Sequence, residues 1–166
     1  TKDGDTKTRE ATTTRPDGKT RTSDDTWVKD GDTTTREGTT ALPGGGTVTR
    51  EDTWVRDGDT ITRDGTVTTP DGKTITKEAT RTKDEDTVTR DGTTTLPDGK
   101  TITSQDTWTK DGKTVEHDGT TTGPRGTSTR EDTWVKDGDT VTRDGTRERY
   151  DGRKVALEDT FTRDGD

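Results

Sequence analysis

The sequence DEDTVTRDGTTTLPDGKTITSQDTWTK spans residues 84–110 and represents a 27-residue unit that recurs along the whole chain. The aspartate that opens each copy recurs at intervals of 27, 27, 27, 27, 26 and 27 residues, at Asp3, Asp30, Asp57, Asp84, Asp111, Asp137 and Asp164. A fixed period of this length is typical of tandem-repeat proteins, in which each copy forms the same local structure. The period predicts a single array of six copies with partial ends, at 3–29, 30–56, 57–83, 84–110, 111–136 and 137–163.

Threonine alternates with other residues inside each copy and occupies 47 of the 166 positions. Period-two alternation and β-branched residues both favour β-strands. Glycines recur every seven residues in the third copy, and a further corner is indicated near Glu78-Ala79. This spacing predicts four strands of about five residues per copy. They are typified by Asp59–Arg63, Thr66–Pro70, Lys73–Lys77 and Asp106–Lys110.

Glycine next to aspartate is the main turn signal of the sequence. In Pro97-Asp98-Gly99, proline presets φ, aspartate bonds back to the backbone and glycine accepts a positive φ, which predicts a short hairpin loop with a bulge. Lys29 and Asp32 flank one such turn and are expected to face each other as an ion pair. The predicted turn glycines are Gly31, Gly58, Gly65, Gly72, Gly99 and Gly138.

The fold class that follows is all-β, with two architectures that fit the repeat. The Asp-Gly turns favour an antiparallel meander of hairpins. A β-solenoid with one copy per coil is the alternative, although it would stack Asp30, Asp57 and Asp84 about 4.8 Å apart, which is unfavourable for like charges.

An aromatic column repeats in step with the turns and is expected to hold packing or assembly contacts, at Trp27, Trp54, Trp108, Trp134 and Phe161. Strand alternation places Trp134 on the same face as Asp132 and Lys136, and leaves threonine on the other face. Hydrophobic residues make up only 15% of the chain, so neither architecture has a thick core. We therefore expect the aromatic stripe to need a second surface, either in the same chain or in another copy.

The runs Thr-Val-Thr-Arg-Asp-Gly-Thr (87–93) and Leu-Pro-Asp-Gly-Lys-Thr (96–101) resemble the Thr- and Gly-rich tandem repeats of bacterial surface and secreted proteins. Tyr150-Asp151-Gly152-Arg153 also resembles a YD repeat of Rhs-type shell proteins. The first resemblance implies an extracellular, structural role and supplies no functional residues.

Enzymatic activity is not expected, because the carboxylates recur with the repeat and no unique site interrupts it. The one histidine, His117, stands where other copies carry arginine and is interpreted as a solvated substitution. No cofactor is expected; calcium at the Asp-Gly-Asp-Thr turns is the alternative, although the EF-hand pattern fails at Ala41. A net charge of −8 argues against nucleic acid as a partner. No apolar run long enough for a membrane span occurs in the sequence.

The function predicted from these features is a structural repeat protein of an extracellular filament, sheath or surface fibre, assembled with itself by strand pairing. The chain begins and ends at the same point of its repeat, which is expected of a window from a longer protein or of a subunit that stacks end to end. The alternative is a monomeric stalk or adhesin module with a glycan-binding Trp column or an ice-binding Thr face.

Overall fold

The computed structural model describes residues 2–162, which form β-strands joined by short turns. The strands are β1 (Lys2–Asp3), β2 (Thr6–Thr14), β3 (Thr20–Asp30), β4 (Thr33–Ala41), β5 (Thr47–Asp57), β6 (Thr60–Thr68), β7 (Thr74–Asp84), β8 (Thr87–Thr95), β9 (Thr101–Asp111), β10 (Thr114–Gly123), β11 (Gly126–Asp137), β12 (Thr140–Glu148) and β13 (Lys154–Thr162). Arg163, which ends the predicted sixth copy, and Asp164, which opens the partial end, lie outside the described residues.

The chain divides into two compact units, one with residues 2–79 and 94–99, the other with residues 80–93 and 100–162. In the first unit, β1 to β6 are neighbours in chain order, and each is antiparallel to the one before. In the second unit, β9 to β13 follow the same rule. Strands β7 and β8 are each divided between the units. The predicted antiparallel meander is confirmed, and the solenoid alternative is wrong because its coils require parallel pairing.

Each copy supplies two long strands and not the four short ones expected from the glycine spacing. Strand β6 continues through Gly65, and its pairing with β5 places Gly65 opposite Asp52. Strand β9 likewise continues through Gln105 and Asp106, which correspond in the fourth copy to the corner expected at Glu78-Ala79. The prediction failed because it treated every recurring glycine as a turn, whereas glycine inside a strand also marks a close approach of another group.

No hydrophobic side chain is fully buried in the described part of the chain. Within each unit, the strands that make substantial contact are neighbours in the sheet, so no second layer covers either face there. Apart from Gly38, the buried residues are polar: Thr40, Asp52, His117 and Asp132. The fold must therefore draw its stability from backbone pairing and polar side-chain contacts more than from an apolar core.

Most of the tight hairpin turns have two-residue loops whose first residue is glycine, at Gly4, Gly31, Gly58, Gly112 and Gly138. Asp30 pairs with Thr33, which leaves Gly31 and Asp32 in the loop, and Gly31 has a φ of 55°. A glycine at this first loop position is typical of type II′ hairpins. The same pairing places Lys29 opposite Thr34, so the expected ion pair of Lys29 with Asp32 is wrong: the loop lies one residue later than assumed.

The wider turns match the predicted loop with a bulge. In the turn between β6 and β7, the amide of Gly72 donates to the carbonyl of Thr69, and the amide of Thr69 donates to the carbonyl of Lys73, both over 2.9 Å. Hydrogen bonds from Lys73, and then from Thr69, lower the pKa of Asp71 to about 2. The aspartate thus ties the two ends of the loop together while it is ionised.

The fifth copy is one residue shorter than the others, and the missing position lies in a loop. Gly123 pairs directly with Gly126 across a two-residue turn, and the register of β10 with β11 continues unbroken to Thr114 and Val135. Because the missing residue falls where no ladder hydrogen bond is needed, the side chains of the fifth copy stay on their faces.

Glu85 occupies the turn position that glycine holds in the corresponding hairpins of other copies, such as Gly58 and Gly112, and its φ is 45°. A left-handed conformation costs a residue with a Cβ about 1–2 kcal/mol. We expect Glu85→Gly to raise the free energy of unfolding by about 1 kcal/mol, measured by urea denaturation. Glu116→Gly, the same change inside β10, is the control and should lower it. Loss of stability in Glu85→Gly would contradict the assigned turn.

Candidate functional site

The strand register sorts the side chains onto two faces. Trp27 lies opposite Arg36 on the adjacent strand, Arg36 lies opposite Asp52, and Trp54 lies opposite Arg63. These residues share what we call the Trp face. The residues between them, mostly threonines such as Thr35 and Thr53, lie on the opposite side, which we call the Thr face. The predicted separation of the aromatic column from the threonines is therefore present in the sheet.

On the Trp face, an aspartate of β3, β5, β9 and β11 lies against a glycine of the strand that follows it in the chain. Asp52 is opposite Gly65, and a Cβ added to Gly65 would overlap the Oδ1 atom of Asp52. The same overlap would arise at Gly38 with Asp25, at Gly119 with Asp106 and at Gly145 with Asp132. The glycine therefore leaves room for the carboxylate to fold down onto the sheet.

Asp52 shows what the carboxylate does in this position. It is only 6% exposed and receives an arginine from each neighbouring strand. The Nη2 atom of Arg36 lies 2.7 Å from Oδ2, and the Nη2 atom of Arg63 lies 2.6 Å from Oδ1. Arg63 also donates from Nε to Oδ1 over 3.1 Å. One buried carboxylate thus joins three strands through charge-assisted hydrogen bonds, which are the stronger kind.

Asp132 repeats this arrangement in the second unit, and its side chain is completely buried. Arg143 donates from Nε to Oδ1 over 2.8 Å, and Arg130 donates from Nε to Oδ2. The Nδ1 atom of His117 lies 3.4 Å from Oδ2. Burial raises the pKa of Asp132, but the hydrogen bonds from Arg143, Arg130 and His117 outweigh it, so the pKa lies below its ordinary value. The carboxylate is therefore ionised at neutral pH.

Because the pKa of Asp132 is lowered in the folded state, the free energy of unfolding depends on pH. Its contribution is complete above the ordinary carboxyl pKa of about 4 and is lost as the pH falls through the lower folded value. We expect the urea midpoint of the wild type to fall steadily below about pH 4. Asp132→Asn should show a shallower fall than the wild type, whereas Asp144→Asn, an exposed change on the Thr face, should keep the wild-type slope. If the urea midpoints of Asp132→Asn and the wild type fell in parallel as the pH was lowered, Asp132 would not be the source of the acid dependence.

His117 occupies the centre of this cluster and is only 7% exposed. Its Nε2 atom lies 3.0 Å from Oδ1 of Asp106, and its ring stacks on Trp108 with centroids 4.7 Å apart. Trp134 contacts the other side, with centroids 6.2 Å apart. The interpretation of His117 as a solvated substitution is wrong. Because each ring nitrogen faces a carboxylate oxygen, the imidazolium satisfies both contacts, whereas neutral imidazole can donate to only one.

We call the carboxylates of the Trp face and the cations or imidazole that contact them the polar ladder; in the described residues it includes Asp52 with Arg36 and Arg63, and Asp132 with Arg143 and His117. Substitutions at His117 test whether it binds the neighbouring carboxylates as an arginine would. We expect His117→Arg to change the free energy of unfolding by less than about 1 kcal/mol, because it restores the residue type of the other copies. His117→Ala should cost about 2 kcal/mol, since it leaves Asp106 without its donor and removes the stack on Trp108. Urea denaturation measures the free energy of unfolding of both variants. Equal values would show that the contacts of His117 with Asp106 and Trp108 do not stabilise the fold.

The aromatic column lies over the cationic members of the ladder. The guanidinium of Arg63 lies 5.3 Å from the Trp54 ring centroid, that of Arg143 lies 5.7 Å from Trp134, and the ammonium of Lys7 lies 5.7 Å from Trp27. These contacts are of cation–π type. The four tryptophans are half-buried, and Phe161 is 58% exposed. The four tryptophans thus lie against Lys7, Arg63, Arg143 and His117, whereas Phe161 is exposed opposite Val141, and none of the five forms a core.

The third copy interrupts this pattern at two positions together. Ala79 stands where the other copies have aspartate, and Arg81 stands where they have an aromatic residue. The aspartate and its aromatic neighbour are thus both absent from the third copy.

The predicted turn glycines fall into two groups. Gly31, Gly58, Gly72, Gly99 and Gly138 lie in turns and have φ values between 55° and 79°. Gly65 does not belong with them, because it lies inside β6 under the carboxylate of Asp52.

The described residues contain no group of three or more acidic or histidine side chains placed to hold a metal ion. They also contain no helix that could cross a lipid bilayer. No protein-family model matches the chain, and no curated protein matches it. The ladder of carboxylates, cations and aromatic rings recurs in both units, as a repeated structural device would.

Proposed function

We propose that the protein is a structural repeat module of an extracellular fibre or sheath, and that it works by self-association and not by catalysis. The observation that carries the proposal is a β-sheet with no fully buried hydrophobic residue in the described chain. In such a sheet, the half-buried tryptophans of the Trp face remain available to a second surface. Ordinary soluble monomers bury such groups inside.

The polar ladder supports a mechanical role. Asp52 joins β4, β5 and β6 through Arg36 and Arg63, and Asp132 joins β10, β11 and β12 through His117 and Arg143. Side-chain links across strands add to the backbone ladder and oppose slippage of the register, which a Thr-rich strand would otherwise permit. A fibre under load needs this fixed register. The resemblance to repeats of bacterial surface proteins supports the extracellular setting.

Electron microscopy of the purified protein at micromolar concentration in plain buffer tests the proposal. We expect long filaments of uniform width, with sedimentation velocity showing species that grow with protein concentration. Dispersed particles of monomer size at every concentration would contradict self-association.

A second candidate function is glycan binding at a groove on the Trp face of the first unit. The groove has a volume of about 480 Å³ and lies between Trp27 and Trp54, with Lys29 and Arg56 at its edges. Aromatic rings flanked by cations suit an acidic sugar. A change in tryptophan fluorescence on titration with uronic acid oligosaccharides, absent in Trp54→Ala, would support this candidate; an unchanged spectrum would remove it.

A further inference from the structure

The Thr face of the first unit carries negative charge alone. In β2 to β6, the strand register places no lysine or arginine on this face. Its exposed acidic residues include Glu10, Asp24, Glu37, Glu51 and Asp64. None of these five takes part in an ion pair within the described residues. The face therefore presents uncompensated carboxylates between rows of threonine.

Two of the carboxylate pairs lie directly opposite each other. Glu10 pairs with Asp24 across β2 and β3, and Glu37 pairs with Glu51 across β4 and β5. Like charges directly opposite each other destabilise an antiparallel pair. The isolated sheet gains nothing from this arrangement, so the stripe is suited to an external cationic surface.

The Trp face of the same strands carries the opposite charge. Every lysine and arginine of β2 to β6 lies there, against two aspartates, Asp25 and Asp52. The cations are Lys7, Arg9, Arg21, Lys29, Arg36, Arg50, Arg56 and Arg63. Asp52 neutralises part of this charge, while Lys29 and Arg56 remain exposed beside the groove between Trp27 and Trp54.

From this separation we propose that the Trp face of the first unit receives the Thr face of a second copy of the same chain. The inference rests on the proposed self-association and names its interface. A second copy fits because each of β2 to β6 carries at least one acidic residue on the Thr face and at least one cation on the Trp face. Both sets of charges therefore follow the strand spacing of about 4.8 Å, so the carboxylates of one copy match the cations of the next. Since the two faces differ, the contact is heterologous, and its repetition adds copies without closing a dimer.

Cross-linking between single-cysteine variants tests the orientation. The chain has no cysteine, so Thr13→Cys marks the Trp face and Thr35→Cys marks the Thr face; both residues are exposed. A bismaleimide long enough to bridge sheets about 10 Å apart is added to each variant and to their mixture. We expect dimers in the mixture of Thr13→Cys with Thr35→Cys and few in either variant alone. If either variant alone gave as much cross-linked dimer as the mixture, the heterologous contact would be wrong.

Removal of the carboxylates tests the charge argument. Glu37→Gln with Glu51→Gln should weaken association at least tenfold in sedimentation velocity, yet leave the urea midpoint of the monomer unchanged or higher. The control, Asp5→Asn with Asp59→Asn, removes the same charge from hairpin turns and should associate as the wild type does. If the variant with both glutamates replaced formed filaments as readily as the wild type, and the mixture of cysteine variants gave no cross-linked dimer, this interface would be wrong. The proposed function would still stand, because the protein would still self-associate. A wild type that never associates would overturn both.

Discussion

Asp132→Ala is expected to lower the free energy of unfolding by about 3 kcal/mol, which is the largest single effect in the molecule. The side chain is completely buried and accepts hydrogen bonds from Arg143 and Arg130. Its removal leaves these cations and His117 facing an empty site, and the loss of one partner of a buried ion pair costs more than the pair itself contributes. Urea denaturation of dilute protein measures the change.

Asp118→Ala is the matched control for Asp132→Ala. Asp118 lies on β10, is exposed on the Thr face and pairs across the strands with another carboxylate, Glu131. Its truncation should leave stability unchanged or raise it slightly, because it relieves like-charge repulsion. If both variants lost the same free energy of unfolding, the buried contacts of Asp132 would not stabilise the fold more than an exposed carboxylate does.

Gly65→Ala is expected to cost about 2–3 kcal/mol, although it adds only a methyl group. The new Cβ would overlap Oδ1 of Asp52 and push the carboxylate away from Arg36 and Arg63. Gly44→Ala is the control, since nothing lies within 4 Å of the Cβ position there and the backbone is not left-handed. That change should be neutral or slightly stabilising.

A double-mutant cycle identifies the cause of the Gly65→Ala effect. In an Asp52→Ala background, the carboxylate that the methyl group displaces is gone, so Gly65→Ala should cost less than about 1 kcal/mol. An equal cost in both backgrounds would place the strain in the backbone of β6 and not in the contact with Asp52.

The repeat and its turns could be predicted because each rests on a local rule. The 27-residue period needs no tertiary information, and the loop Pro70-Asp71-Gly72 encodes its own geometry through fixed φ preferences. The pairing direction followed from the hairpin turns. The residues that form each turn lie within a few positions of each other, so the sequence alone specifies the turn.

The ladder could not be predicted in the same way, because its contacts run between strands. The meaning of Gly65 depends on Asp52, which is 13 residues away in the chain and directly opposite in the sheet. Without the register, Gly65 looks like any other glycine that follows aspartate. His117 was misread for the same reason, since its partners Asp106 and Asp132 come from both neighbouring strands.

A signal for the ladder was nevertheless present in the sequence. Most copies carry aspartate two residues before the aromatic residue, as in Asp52 and Trp54, and arginine two residues before glycine, as in Arg63 and Gly65. Residues two apart share one face of a strand. A buried carboxylate beside a cation and an aromatic ring could therefore have been expected on the Trp face once the strands were taken as long.

The heat capacity change on unfolding tests most directly the claim that this sheet folds without an apolar core. An ordinary globular protein of 166 residues shows about 2–2.5 kcal/mol/K, because unfolding exposes buried apolar surface. Scanning calorimetry of protein too dilute to associate should give a cooperative transition with less than about half of that value. An ordinary heat capacity change under the same conditions would mean that apolar surface is buried in the monomer, and it would contradict the account.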